Sequence, residues 1–203
     1  MARISFSPLI VEASGKVKDT VFSRWKGRAY IRSRVTPANP QSASQTAVRE
    51  SLARCVSLWQ SMTADMYTNW NTYASPYSIS GYNAFMRQNR ADEQAGSVLQ
   101  VTAQDSLLSG VDTFAAATGS GAGEADLTWT GGTVGADKFA YVLARKDGED
   151  SLTLIESTTT LISAGSRTIS GLDTGDDYQI YLAVFDDTLN TLSISKGDTV
   201  TAG

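Results

Sequence analysis

Few residues in this chain can do covalent chemistry. Histidine is absent from all 203 residues, and the single cysteine is Cys55. Without histidine the commonest general base and metal ligand is missing, and so is every Ser–His and Cys–His nucleophile pair. One cysteine permits no internal disulfide. What remains is of two kinds. Acidic pairs stand at Glu149–Asp150, Asp176–Asp177 and Asp186–Asp187. A cationic, aromatic stretch, VFSRWKGRAYIRSRV at residues 21–35, sets Arg24, Lys26, Arg28, Arg32 and Arg34 around Trp25 and Tyr30.

The acidic pairs read as solvated turns. A calcium loop needs several oxygen ligands at alternating positions, and no pair belongs to such a pattern. SGYNAF and GSGAG place no Lys with Ser or Thr after their glycines, so neither is a phosphate loop. Cys55 falls among apolar residues at helical spacing, and burial is its expected role. No catalytic residue, cofactor site or metal site is therefore expected, and the chain reads as a non-enzyme.

Charge divides the chain. Residues 1–94 hold 12 Lys and Arg against 6 Asp and Glu, a net of +6, and residues 95–203 hold 5 against 15, a net of −10. Such asymmetry suggests two modules with different neighbours. No apolar run is long enough to span a bilayer. The opening MARISFSPLIVEASG has only a short apolar patch at residues 8–11, and no signal peptide is expected.

These residues need elements to position them. β-prone runs flank Lys26-Gly27, which reads as a tight hairpin turn. That register sets Trp25 opposite Arg28, Ser23 opposite Tyr30 and Val21 opposite Arg32 on one side, with Phe22, Ala29 and Ile31 on a core side. TPANPQS then breaks the chain. A helix is expected from Ser42 or Ser44, with Val48, Leu52, Cys55, Val56 and Trp59 as its apolar face. Thr63 opens a second helix with Met66, Trp70 and Tyr73 or Ala74 inward. A short third helix carries Tyr82, Phe85 and Met86. From Ala95 the texture becomes short alternating strands with turn residues between them: EADLTWTGG, KFAYVLARKDG, LTLIES, SRTISGL, DYQIYLAVFDD and LSISKGDTVTA. ATGSGAGEA before them reads as a flexible joint or edge loop. The expected class is α+β. A hairpin with about three helices (1–94) precedes an all-β sandwich (95–203).

The second half, from about Leu99, resembles a fibronectin type III domain. ADLTWT is similar to the family's second strand with its buried Trp129. TISGLDTGDDYQIYLAVFDD resembles the stretch in which Leu172 and Tyr178 would form the tyrosine corner, with Tyr178, Ile180, Leu182 and Val184 inward. Thr174 stands where the family usually has proline. There is no Arg-Gly-Asp motif. Residues 15–90 resemble a group of small phage and prophage structural proteins, through GKVKDTVFSRWKGRAYIRS, TPANPQSASQ, LWQSMTADMYTNWNTYA and SGYNAFMRQNR. LWQSMTADMYTNWNTYA is also similar to part of an HMG box, but its helix at residues 63–74 carries no Lys or Arg, so the likeness reads as shared packing.

The phage resemblance implies a virion structural protein made in the bacterial cytoplasm. Capsid decoration is the leading role, and a tail or neck component the alternative. Its partner would be the major capsid protein or another virion protein. Many copies per particle are expected, self-association being compatible with this, and no membrane or nucleic acid is involved. Arg24, Trp25, Arg28, Tyr30, Arg32 and Arg34 are the expected protein-binding surface. A nucleic-acid-binding regulator using the hairpin is the competing class.

Overall fold

A computed structural model describes residues 2–3, 13–103 and 108–203. The apolar patch at residues 8–11 lies outside them. The chain forms two compact units, Met1–Ser42 and Ala43–Gly203.

Among the described residues of the first unit, four strands pair antiparallel: β1 (Ala2–Arg3), β2 (Gly15–Val17), β3 (Thr20–Trp25) and β4 (Arg28–Ser33), in the order β1-β4-β3-β2. The β3–β4 turn is Lys26-Gly27, with φ of 47° and 77°. Positive φ at both central residues marks the tight turn whose twist matches the flanking strands, and Gly27 adopts it without penalty. The expected register holds, Trp25 opposite Arg28, Ser23 opposite Tyr30 and Val21 opposite Arg32. The expected core side is less closed than the sequence suggests. Phe22, Ala29 and Ile31 are half-buried, as are Val21, Ser23 and Tyr30 on the other side.

The second unit begins with α1 (Ala43–Gln60), α2 (Ala64–Ala74) and α3 (Gly81–Ala95). Thr63 caps α2 through its hydroxyl, Ser80 caps α3, and Gly96 ends α3 in the left-handed region at φ 68°. Eight strands follow: β5 (Val111–Thr118), β6 (Ala125–Gly131), β7 (Lys138–Lys146), β8 (Thr153–Glu156), β9 (Ser166–Ile169), β10 (Asp177–Asp186), β11 (Thr191–Leu192) and β12 (Lys196–Thr201). One sheet has the order β5-β6-β9. In the other, β8 pairs with β7, β7 with β10, and β11 and β12 both lie on the far side of β10. This is the strand arrangement of a fibronectin type III sandwich. The expected corner is present. Leu172 is buried, and the Tyr178 hydroxyl accepts the Asp173 N–H at 3.0 Å. Trp129 is buried and donates Nε1–H to the Ile162 carbonyl at 2.7 Å. Within the sandwich, β5 escapes sequence reading; its VDTFAAAT partly overlaps the expected loop.

Two cores meet across the larger sheet. Ala140, Val142, Ala144, Ile180, Leu182 and Val184 face the sandwich interior with Leu127 and Trp129. The alternate residues Tyr141, Leu143, Tyr181, Ala183 and Phe185 face outward and are buried with Cys55, Leu58, Met66, Trp70 and Phe85 of the helices. The helices are thus a third layer on the sandwich. This corrects the expected boundary at residues 94/95. The helices belong with the strands, and the compact division falls at Ser42.

The segment joining helices to strands is itself buried at Leu99 and Val101–Ala103, so its backbone groups need partners. Asn89 brackets Gln100, its amide donating to the carbonyl at 2.9 Å and accepting the N–H at 2.7 Å. Asn69 brackets Ala103 likewise and also donates to the Leu192 carbonyl at 2.7 Å. Trp70 Nε1–H donates to the Val101 carbonyl, and the Ser195 hydroxyl accepts the Val101 and Thr102 N–H groups.

Helix α1 presents a different face from the expected one. Ser51, Cys55 and Leu58 are buried, while Val48 and Leu52 are exposed. Ser51 can be buried because its hydroxyl donates to the Val48 carbonyl at 3.0 Å. Ala74, rather than Tyr73, is the inward residue of α2. Helix α3 is longer than expected and buries Asn89 and Glu93 with Phe85.

Glu93 ties three elements together. Arg145 of β7 donates two parallel bonds to its carboxylate, at 2.9 and 3.1 Å. Arg54 of α1 adds an ion pair at 2.7 Å. Removing one member of such a buried cluster strands the others' charge. Glu93→Gln should therefore cost about 3–5 kcal/mol, read as a lower urea midpoint at unchanged slope. A midpoint shift near zero would show that water already solvates the cluster.

Candidate basic docking face

The register of the first unit sorts the expected site residues. Side chains alternate along a strand, and directly paired residues share a side. Lys16 pairs with Val21, and Val21 with Arg32, so these three form one row across β2, β3 and β4. Ser23 with Tyr30 and Trp25 with Arg28 form the next rows on the same side. Among the described residues, that face carries Lys16, Arg28 and Arg32 as cations, Trp25 and Tyr30 as aromatics, and no carboxylate.

Of the six expected residues, four are brought together: Trp25, Arg28, Tyr30 and Arg32. Arg24 is not among them. It pairs with Ala29 and lies on the opposite side with Phe22 and Ile31. Arg34 follows the end of β4, where its backbone N–H donates to the Asp19 carbonyl at 2.6 Å. Sequence reading missed Lys16. The signal was available in GKVKDTVF, whose second turn at Lys18-Asp19 sets Lys16 opposite Val21.

Trp25 is 66% exposed, far more than an indole usually is. The Lys26 ammonium lies 4.8 Å from its ring centroid, a cation–π contact within one turn. Tyr30 is only half-buried. The face therefore offers an aromatic anchor beside the hairpin turn, with Arg28 opposite it and Lys26 over its ring. Such a face suits an acidic partner surface.

The second unit offers less chemistry. A cleft of about 250 Å³ is lined by Arg54, Glu93, Arg145 and Asp150, but the Glu93 ion cluster already occupies these groups. Among the described residues no three His, Cys, Asp or Glu are placed to hold a metal ion. Asp173 and Asp176 instead share Lys146, at 2.7 and 2.5 Å, and the lysine holds the Asp173 carboxyl below its usual range. Cys55 is fully buried, and burial pushes its thiol up to about 11, with the Glu93 charge adding to the effect. A reactive thiol needs exposure and a lowered pKa, so Cys55 is a packing residue.

Fold and face together define the architecture: a helix-backed fibronectin type III sandwich preceded by a small cationic sheet. The chain belongs to the family of unknown function DUF6266, whose model matches residues 12–193. No curated protein matches. Similar solved structures include a Fn3-like protein from Clostridium thermocellum, 20% identical, covering 47% of this chain and 93% of its own, with a TM-score of 0.37. A family 76 glycoside hydrolase from a bovine Bacteroides thetaiotaomicron strain is 14% identical over 45% of this chain and 20% of its own, with a TM-score of 0.36. A myokine structure is 16% identical over 46% of this chain and 94% of its own, with a TM-score of 0.34.

Proposed function

We propose that this chain is a non-enzymatic structural protein of a bacteriophage particle, most simply a capsid decoration protein that attaches through its basic N-terminal sheet. The observation that carries the reading is the charge partition between the two units. Met1–Ser42 holds eight Lys and Arg against two Asp and Glu, a net of +6, and residues 43–203 hold nine against 19, a net of −10. The excess positive charge thus sits in the sheet alone, and the helices are balanced. A decoration protein meets many identical sites, so a modest contact is multiplied across the particle. The sheet supplies that contact, and the acidic sandwich faces solvent. A tail or neck component would use the same face.

Arg28→Glu with Arg32→Glu tests this. Both positions are exposed, so stability should change by less than about 0.5 kcal/mol each. Co-sedimentation with purified particles should be lost. Particles that bind the double variant at wild-type occupancy would remove the face from the attachment site. Salt-sensitive retention of the wild-type chain on duplex DNA, steep in the way counterion release dictates, would favour a nucleic-acid-binding regulator instead.

A further inference from the structure

The basic face has a complement within the same sequence. At one end of the sandwich the turn at residues 147–150 and the corner at residues 173–177 lie together, joined by the Asp147 N–H donating to the Asp177 carbonyl at 2.8 Å. Between them they present Asp147, Glu149, Asp150, Asp173, Asp176 and Asp177. Two cations adjoin them and both are engaged. Lys146 binds Asp173 and Asp176, and Arg145 is committed to Glu93, with Asp150 at 3.9 Å. Asp147, Glu149 and Asp177 are left exposed. Beside them opens a cleft of about 340 Å³, lined by Asp147, Asp177, Gln179, Thr199 and Thr201. Tyr178 and Val200 complete its lining with apolar surface beside the two carboxylates.

We infer that the cationic face of the N-terminal sheet docks on the acidic end of the sandwich of a second copy of this chain, its hairpin tip, Trp25 and Arg28, entering the cleft beside Asp147 and Asp177. This rests on reading that face as an attachment surface and gives it a second occupant, a copy of the chain itself, where no particle is present. Charge complementarity argues for the second copy: among the described residues, three cations without a carboxylate on one surface, and a carboxylate excess on the other. The anchor is of the type that dominates interface energy. Trp and Arg together can satisfy an apolar wall, a carboxylate and hydroxyl acceptors. The two surfaces are different, so the contact is heterologous. A bound pair still offers one free face and one free end, and copies add head to tail into a ring or an open array.

The test uses the purified full-length chain, treated with nuclease, in sedimentation velocity at low and high salt. Mass well above the monomer's 21.7 kDa is expected at low salt, with return to monomer at high salt, since exposed charges are screened. Arg28→Ala with Arg32→Ala should be monomeric at low salt, and so should Asp147→Asn with Asp177→Asn. The two variants lie in different units, so misfolding of one does not excuse the other. Mixed together, they should form a one-to-one dimer, because each retains the surface the other lacks. A wild-type chain that stays monomeric at low salt overturns the inference. So do oligomers that survive both variants, a mixture that stays monomeric, or association lost on nuclease treatment. No particle enters this experiment. Failure here leaves particle attachment standing, and failure of particle attachment leaves this result standing.

Discussion

A fragment of residues 97–203, cut free of the helices, is expected not to fold. It contains every strand of the sandwich, and by the ordinary logic of fibronectin type III domains it should be independent. The outward face of its larger sheet argues otherwise. Tyr141, Leu143, Tyr181, Ala183 and Phe185 are all at most 5% exposed, and the helices cover them. Baring the four large side chains costs roughly 1.5–3 kcal/mol each. The total is comparable with the whole stability of a domain, about 5–15 kcal/mol. The fragment also loses Asn69 and Asn89, which satisfy the backbone of Gln100 and Ala103. A fragment of residues 43–203 keeps both cores and should melt cooperatively near the temperature of the full chain. Circular dichroism melts and sedimentation of the two fragments decide the matter. A soluble, monomeric 97–203 fragment with a cooperative melt close to that of 43–203 would show that the helical layer is dispensable.

The sandwich strands other than β5 are legible in the sequence because they are bounded by turn residues and carry an apolar set at a spacing of two. The corner is legible because Leu172 and Tyr178 sit at a fixed offset. The helical layer's place is harder to read, but its trace is there. An outer sheet open to water should alternate apolar and polar residues. FAYVLA in β7 and YLAVF in β10 do not alternate, which is the mark of strands buried on both faces. A boundary at residues 94/95 follows composition and ignores that mark. Strand β5 is hidden by alanine, aspartate and threonine, a mixture with weak overall strand preference. The rotation of α1 is not legible at all. Burying Ser51 depends on a bond to its own helix backbone, whereas hydrophobicity alone favours Val48 and Leu52. The docking face is half legible. Turn chemistry at Lys26-Gly27 sets the register and hence the row of Trp25 and Arg28. Proximity in sequence groups Arg24 with them, although adjacent strand residues point to opposite sides.

The same helix–sheet core should make the protein fail at alkaline pH, sooner than its carboxylates or lysines would suggest. Three of its members can lose a proton: Cys55, Tyr141 and Tyr181, each fully buried. Burial raises the Cys55 thiol from 9.0 to about 11, and it raises both tyrosines from 10.0 to about 12. The Thr63 hydroxyl at 2.6 Å pulls Tyr141 back slightly, and the Arg145 charge does the same for Tyr181. In the unfolded chain all three would titrate at their ordinary values, so between those values and the raised ones the unfolded state binds fewer protons than the native state. Stability then falls as pH rises. It is fully present below pH 9 and is lost progressively between the ordinary 9.0 of the thiol and the raised value of about 12 of the phenols. A tenfold change in proton affinity is worth about 1.4 kcal/mol, so each group contributes roughly 2–3 kcal/mol to that loss. Urea midpoints measured from neutral pH upward should be flat and then drop steeply, with tyrosinate absorbance and thiol reactivity appearing together with unfolding. Tyr181→Phe should flatten the drop, since it deletes one titrating group and keeps the packed ring, losing only the hydroxyl's bonds to Gln179 and its neighbours. A wild-type midpoint that holds steady to about pH 11 would mean that the thiol and phenols ionise in place, and that water already reaches the seam between helices and sheet.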